Sequence, residues 1–415
     1  MKLLILTQYF PPEVGAPQNR LFELAVRLKA AGVEVTVLTA MPNYPQMEIY
    51  EAYKNKAYCF ENMEGLLVHR SSIFVSTNKS IVNRLRNYFS FVISSARAAN
   101  KLPDHFDFLL CESPPLFLGY SALYLARKKK AKLLFNVSDL WPESAEKLGV
   151  VSNSFLLNRA YKLEARLYKS AALVTGQTQG ICASIQKRFP DVKTYWLPNG
   201  VDLNYYHPQR IEPGSWRKEN GFLDTDVIFM YAGIIGIAQG LEIILEAAKR
   251  TQQHPHIKYV LMGSGPEKDK LVEQCKQQGI GTVYFKPPVP KLQMPAILKS
   301  INAAIIPLKK LDLFLGAIPS KVFENLAMEI PVLLGVDGEA RELFIERGKA
   351  GLYVEPGNVD QLAAAVLQLA NNPEQAKALG KNGREFVMQY FNRETIAAGL
   401  LAELKKLQTS QPSSR

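Results

Sequence analysis

Residues Pro319–Gly335 read PSKVFENLAMEIPVLLG. Pro suits a first helical turn and Ser suits a cap, so Pro319–Ser320–Lys321 predicts a helix start. A short amphipathic helix carrying Glu324 follows, and at Pro331 the chain passes into an apolar Val-Leu-Leu strand. Such a helix turns unpaired N–H groups, the positive end of its dipole and a lysine toward one spot. That arrangement suits a nucleoside diphosphate, and it equally suits plain α/β packing.

The surrounding sequence repeats the strand–loop–helix pattern. Val227–Ala232 predicts a strand, GIIGIAQG at 233–240 a glycine loop, and Leu241–Arg250 a helix. Tyr259–Met262 predicts a second strand, GSGPE at 263–267 a second loop, and Lys268–Gln278 a second helix. Strands at Val283–Lys286, Ala303–Pro307 and Leu352–Glu355 and a helix near Asp360–Asn371 extend the pattern. Two glycine loops and the Ser320–Lys321 helix start then converge on one sheet edge, a stronger signal than any of them alone.

The first half alternates in the same way. KLLILT at 2–7 predicts a buried strand, and a Gly15-containing loop leads to a helix at about 18–31 with Asn19 and Arg20 in its first turn. Further strands are expected at Val33–Thr39, near 66–75, and at Phe106–Cys111, Lys132–Asn136, Leu173–Gly176 and Thr194–Leu197. Asp139, Trp141, Pro142 and Glu143 follow directly on a strand's carboxyl end, where α/β folds place ligand groups, although Asp139 also suits a simple N-cap. LPNGVDLNYYHP at 197–208 has the turn residues of a connector. The expected domains are therefore 1–200 and 201–391, with 392–415 a last amphipathic helix followed by a disordered tail over Thr409–Arg415.

Composition sets the class. Of 415 residues, 47% are hydrophobic and 21% charged, values of a globular protein. No apolar run reaches the roughly 18 residues a spanning helix needs, and MKLLILTQYFPP is too short for a signal peptide's apolar core. Cys59, Cys111, Cys182 and Cys275 lie far apart, which argues against structural zinc and fits a reducing cytosol. Residues 1–200 hold 25 Lys and Arg against 15 Asp and Glu, so most of the net charge of +12 lies in the first half. An anionic membrane surface is the expected partner, and nucleic acid is not, because no recognition motif accompanies the charge.

The candidate membrane element is 80–101. Ile81, Leu85, Tyr88, Phe89, Val92 and Ala96 recur at helical spacing and predict its packed face, with Phe91 outside that stripe. Arg84, Arg86 and Arg97 stand off the stripe, and the run Arg127–Lys130 with Lys132 adds to the same side. Asp224-Thr225-Asp226 has the form of a metal–diphosphate motif, but it precedes a strand and so faces away from the carboxyl ends. The expected metal content is none.

GIIGIAQGLE at 233–242, GSGPEKDKL at 263–271, LPNGVD at 197–202 and PSKVFENLA at 319–327 resemble glycosyltransferase family 4. SDLWPES at 138–144 and IAQGLE resemble its branch of N-acetylfucosamine-type transferases of O-antigen and capsule assembly. The resemblance implies an α/β GT-B fold of two Rossmann-like doubly wound domains facing across a cleft, with the last helix packing back on the N-terminal domain. It implies a nucleotide-diphosphate-sugar donor as substrate, no cofactor, no metal, and transfer with retention to a lipid-linked or saccharide acceptor.

Carried over by position, Gly233, Gly236 and Gly240 would let backbone approach the diphosphate, with Gly15 touching the phosphate from the other domain. Gly263, Gly265 and Pro266 would line the base pocket, and Glu324 would accept from the ribose. The sequence departs from the family where its first-loop Arg and Lys become Ile234 and Gln239, and where the sugar-gripping Glu becomes Gly316. Lys321, beside Ser320, and Lys309 are the replacement cations, because charge on the leaving group is usually the largest catalytic term. Asp139 is the candidate for placing acceptor or donor sugar, and Asn19, Arg20, Trp141 and Glu143 for holding the acceptor. The expected enzyme is cytoplasmic and peripheral on the inner face of the membrane. A nucleotide-sugar 2-epimerase of the same fold and a non-catalytic nucleotide-sugar-binding subunit are the alternatives.

Overall fold

In the computed structural model, which describes residues 1–13, 15–78, 80–147, 153–212 and 214–409, apolar runs become the strands of two sheets. The chain divides into unit 1, Met1–Asn199 with Arg393 onward, and unit 2, Gly200–Asn392. Unit 1 holds β1 (Lys2–Leu6), β2 (Glu34–Ala40), β3 (Tyr58–Met63), β4 (Leu66–Ser71), β5 (Phe108–Ser113), β6 (Lys132–Val137), β7 (Leu173–Gly176) and β8 (Thr194–Trp196). Unit 2 holds β9 (Val227–Ala232), β10 (Ile257–Met262), β11 (Val283–Lys286), β12 (Ala303–Pro307), β13 (Val332–Gly335) and β14 (Gly351–Tyr353).

The first sheet runs β3-β4-β2-β1-β5-β6-β7-β8, and the second β11-β10-β9-β12-β13-β14. Every pairing is parallel except β3 with β4. Strands covered on both faces must be apolar, which is why Leu3–Leu6 of β1 and the whole of β12 read as unbroken apolar runs. Strand order reverses between β1 and β5 in unit 1, and between β9 and β12 in unit 2. Ligands of open α/β sheets bind at the carboxyl ends beside such a reversal.

The structure alters several expectations. The strand expected near 66–75 ends at Ser71 and is preceded by the antiparallel edge strand β3, whose half-polar pattern hid it. The 18-residue helix Pro373–Tyr390, not singled out from sequence, packs Gly380 against the Glu329 carbonyl and Gly383 against Leu326, where side chains would collide. The last helix, Arg393–Thr409, buries Ala397, Leu400 and Leu404 on the Ala16–Ala30 helix side of unit 1. Of the tail expected to be disordered, Thr409 ends this helix, and 410–415 lie outside the described residues.

The Ile81–Arg97 helix is turned differently from its apolar pattern. Among its described side chains the fully buried ones are Asn87, Phe91 and Ser95, a face centred on the Phe91 that the expected stripe left outside, while Leu85, Tyr88, Val92 and Ala96 of that stripe are half-buried and Phe89 is exposed. The reason is polar. The side chain of Asn87 accepts from Gln8 at 2.9 Å and donates to the Phe74 carbonyl at 2.6 Å, and Ser95 shares a hydrogen bond with Ser121 at 2.8 Å. Burying these groups paired costs less than leaving their partners unsatisfied. Val82, Phe89 and Ile93 are consequently exposed, at 65%, 39% and 50%. Within the run Arg127–Lys130, Lys129 is no surface cation. It is buried and donates to the Leu102 carbonyl at 3.1 Å, while Lys132 is tied to the Leu407 carbonyl.

Candidate functional site

In unit 2 the two glycine loops are laced to each other. Register sets Ala232 beside Met262, so Gly233 and Gly263 leave adjacent strands together. Gly233 N donates to Met262 O at 2.9 Å, and Ile235 N to Ser264 O at 2.8 Å. A Cβ on Gly263 would strike the Gly233 carbonyl, and one on Gly265 the Ile235 carbonyl; both residues also have positive φ. Loop-to-loop packing therefore accounts for these two glycines without a ligand. Pro266 stands next to that seam.

Gly233 is different. A Cβ there would meet Lys321 Nζ at 3.3 Å and the Tyr231 hydroxyl at 3.4 Å, so its bareness leaves room for the lysine. Lys321 sits with its ammonium 4.5 Å from the Tyr231 ring centre and 3.5 Å from its hydroxyl, which donates to the Ile234 carbonyl. Burial lowers the ammonium from 10.5 to about 8, and the nearby Glu324 carboxylate opposes the shift. Part of the Lys321 residue reaches solvent, yet its ammonium is enclosed enough for the charged form to be disfavoured.

Ser320 does not cap the Lys321–Ala327 helix. The backbone is already helical there (φ −58°, ψ −28°), so the hydroxyl makes no capping bond. It remains exposed at the head of the helix.

Lys309 follows β12, on the other side of the strand reversal. Its backbone N donates to Ala238 O at 2.9 Å, and its Cγ lies where a Cβ on Gly240, in the left-handed region at φ 59°, would come within 3.1 Å. It lines a cavity of about 310 Å³ with Gly240, Glu242, Pro307 and Gly335. Gln239 turns its amide over Gly236. Ile234, where the family carries a cation, stands 59% exposed.

In unit 1 the carboxyl edge carries a polar row that sequence reading missed. Register pairs Glu112 on β5 with Asn136 on β6, and Asn136 with Thr175 on β7. Asn136 donates to Glu112, and Thr175 donates to Asn136 at 2.5 Å. Arg20 reaches the same buried carboxylate at 2.5 Å and the Ser138 hydroxyl at 2.8 Å. Arg20 is thus committed to a buried pair and positions the edge more than it offers a free charge. The signal for Glu112 was an acid closing the buried run FLLCES.

The Gly15 loop is held by another missed residue. Glu13 is buried and accepts from Asn43 N at 2.7 Å and Tyr44 N at 2.9 Å; burial raises its carboxyl above the usual range. The space a Cβ on Gly15 would fill is occupied by the Gln18 amide. Asn19 is half-buried in the first turn beyond.

Asp139 accepts from Ser144 at 2.8 Å, and crowding by protein raises its carboxyl above the ordinary range, although its edge is exposed. Trp141 packs edge-on to Phe117 at 5.4 Å. Glu143 pairs with Lys147 at 2.7 Å on its own short helix. The DxD is a turn element: Asp226 is buried, accepts from Leu223 N at 2.8 Å and faces Lys258 at the amino end of β9.

Doubly wound parallel sheets with glycine loops at a strand reversal define a Rossmann-like class. Residues 18–205 match the model of Glycosyltransferase Family 4, and 214–386 that of Glycosyl transferases group 1. The chain belongs to glycosyltransferase family 4, and its fold is GT-B. It is 25% identical to a putative colanic acid biosynthesis glycosyl transferase of Escherichia coli (strain K12), over 98% of this chain and 100% of that one. Sucrose-phosphate synthase from Thermosynechococcus elongatus superposes with a TM-score of 0.77 at 17% identity, covering 99% of this chain and all of that one. The Anabaena protein HepE in complex with UDP-glucose superposes at 0.72 with 17% identity, covering 98% and 100%. At these identities the structural likenesses speak for the fold.

Proposed function

We propose that this glycosyltransferase moves a sugar from a nucleoside-diphosphate donor to a lipid-linked or saccharide acceptor, in surface polysaccharide assembly. The single observation that carries the donor half is the Lys321 ammonium, desolvated against Tyr231 and facing bare Gly233. Such a charge is held at a cost that a bound diphosphate relieves, and the relief grows as the leaving group gains negative charge. Lys309 lies across the strand reversal and would share that charge. Glu324 would accept from the ribose hydroxyls, and Gly236 and Gly240 would let backbone near the phosphates.

Chemically, the sugar C1–O bond breaks with its electron pair going to the diphosphate. The acceptor hydroxyl oxygen bonds to C1 from the same face, so configuration is retained, and its proton passes to the departing phosphate oxygen. Cations of the chain stand in for a metal, and the donor is a substrate, so no cofactor is invoked. Asp139 would orient the acceptor. The HepE complex with UDP-glucose supports a nucleotide sugar in this fold. The colanic acid relative supports polysaccharide assembly, and SDLWPES supports the N-acetylfucosamine-type branch.

The exposed Val82, Phe89 and Ile93, with Arg84, Arg86 and Arg97, support peripheral attachment to the inner face of the membrane. No helix among the described residues is long and apolar enough to cross one.

The test is a panel of nucleotide sugars, first for thermal stabilisation and then for turnover with lipid extracts. Release of nucleoside diphosphate only when an acceptor is present supports transfer. Donor consumed without acceptor would indicate an epimerase. Binding without turnover on any extract would indicate the non-catalytic subunit suggested by Ile234, Gln239 and Gly316.

A further inference from the structure

The fold divides the cations of the run Arg127–Lys130. Lys128 donates to the Asn100 side chain at 2.6 Å, and buried Lys129 lies 3.7 Å from Asp104. The exposed side chains of Arg127 and Lys130 have no partner among the described residues. Both line a cavity of about 450 Å³, together with Lys132 and Arg166. Arg166, on the Ser154–Ser170 helix, likewise has no partner among the described residues, while Lys132 holds the Leu407 carbonyl. No Asp or Glu lines this cavity.

Its place in unit 1 separates it from the reacting edge. The lining comes from the ends of the Gly119–Lys128 and Ser154–Ser170 helices and from the amino ends of β6 and β7. β6 spans six residues, about 20 Å at ~3.3 Å each. Asp139 lies past its opposite end.

Charge defines the occupant. A helix C-terminus carries about half a negative charge, so the two helices bring about −1. Four cations leave a surplus of about +3, gathered by the fold in one concave place, and such a surplus draws a multivalent anion. Two guanidiniums favour phosphate, whose oxygens match their planar fork. Leu123, Leu133 and Ala171 also line the cavity, which favours an anion carrying a carbon body over a bare ion. Lys130 adds a separate sign. Its φ of 53° is left-handed, a conformation that costs a side-chain-bearing residue about 1 kcal/mol and glycine almost nothing.

We propose that unit 1 carries a second anion site at the amino edge of its sheet, binding a phosphate monoester through Arg127, Lys130 and Arg166. The ester is a free metabolite or the headgroup of an anionic lipid, and the recognising chemistry is the same. This site goes beyond the transferase reading and does not depend on it.

The full-length protein is titrated with glycerol 3-phosphate, and separately with phosphatidylcholine vesicles with and without phosphatidic acid. Binding is located by hydrogen exchange. Glycerol 3-phosphate is expected to protect 123–133 and 166–172. Arg127→Gln and Arg166→Gln are each expected to weaken it about tenfold, about 1.4 kcal/mol, with UDP binding in unit 2 unchanged. Lys130→Gly is expected to weaken it similarly without lowering the melting temperature, which separates a ligand role from a structural one. Lys128→Gln removes the same charge outside the cavity and should stay within twofold of wild type.

Protection by glycerol 3-phosphate but not by phosphatidic acid supports the site with a free ester. Protection by phosphatidic acid vesicles alone, lost in Arg127→Gln, supports it with a lipid headgroup. Equal losses in Lys128→Gln and Arg127→Gln would reduce the cavity to diffuse surface charge and overturn the proposal. Protection by neither phosphate at these segments, or protection confined to unit 2, would overturn it as well.

Discussion

Replacing Lys321 by methionine keeps the length of the side chain on the Tyr231 ring and removes its charge. In the folded protein the ammonium titrates near 8 instead of 10.5. At about 1.4 kcal/mol per unit, burying the charged form costs about 3 kcal/mol. Partial access of the residue to water reduces this to about 2 kcal/mol.

Below pH 8 both folded and unfolded chains carry the proton, so the cost is fully present and Lys321→Met is expected to be more stable than wild type. Between pH 8 and 10.5 the unfolded chain holds the proton and the folded one does not, so wild type gains stability with pH. Above 10.5 the difference closes. For a unit of this size, about 2 kcal/mol corresponds to roughly 4–8 °C in melting temperature. The same substitution removes a charged partner of the diphosphate, worth about 1.5–3 kcal/mol, so UDP or GDP should bind about 10–100-fold more weakly. Scanning calorimetry from pH 6.5 to 11, with and without nucleotide, reads both effects. A variant no more stable than wild type at pH 7, or one that binds nucleotide within threefold of wild type, refutes the view of Lys321 as a strained cation awaiting an anion.

Other expectations follow from the two edges. Glu112→Gln leaves Arg20 facing a neutral amide in a buried network and should cost unit 1 about 3 kcal/mol in urea unfolding; a loss under 0.5 would show that the pair is unimportant. Gly263→Ala drives a methyl group into the Gly233 carbonyl and should lower the melting temperature of unit 2 markedly, whereas Gly236→Ala meets the flexible Gln239 amide and should cost under about 1 kcal/mol of stability. Equal melting temperatures for the two variants would contradict the lacing of the loops. Because Asp139 is raised, the acid limb of turnover should lie above the usual carboxylate range, with activity lost as pH falls through it. Asp139→Asn should remove that limb and lower kcat about 10²-fold, and a pH profile that keeps the limb in the variant excludes Asp139 as its source.

Two repeated runs of strand, glycine loop and helix were legible in the chain because each is local. Apolar runs of four to six residues, such as Val227–Ala232 and Ala303–Pro307, fall on strands with the bounds their patterning predicts. The helix start at Lys321 was equally legible, since Pro319 forbids an earlier interior turn. Less was visible wherever a role depends on a distant partner. Lys321 becomes strained only because folding sets Tyr231, 90 residues earlier, beneath it. Glu112 becomes the centre of a polar row only because strand register lines it up with Asn136 and Thr175.

The Ile81–Arg97 helix shows the same division in one element. Its sequence alone determined that it is a helix, basic and amphipathic, because periodicity of 3.6 is a property of the segment. Which face turns inward was decided by tertiary structure. Gln8, Phe74 and Ser121 present polar groups that Asn87 and Ser95 must satisfy, and this need outweighs burying Phe89 and Ile93. Sequence sets local preference, and the hydrogen-bonding demand of the surface it packs on sets the rotation, leaving Phe89 and Ile93 open to solvent.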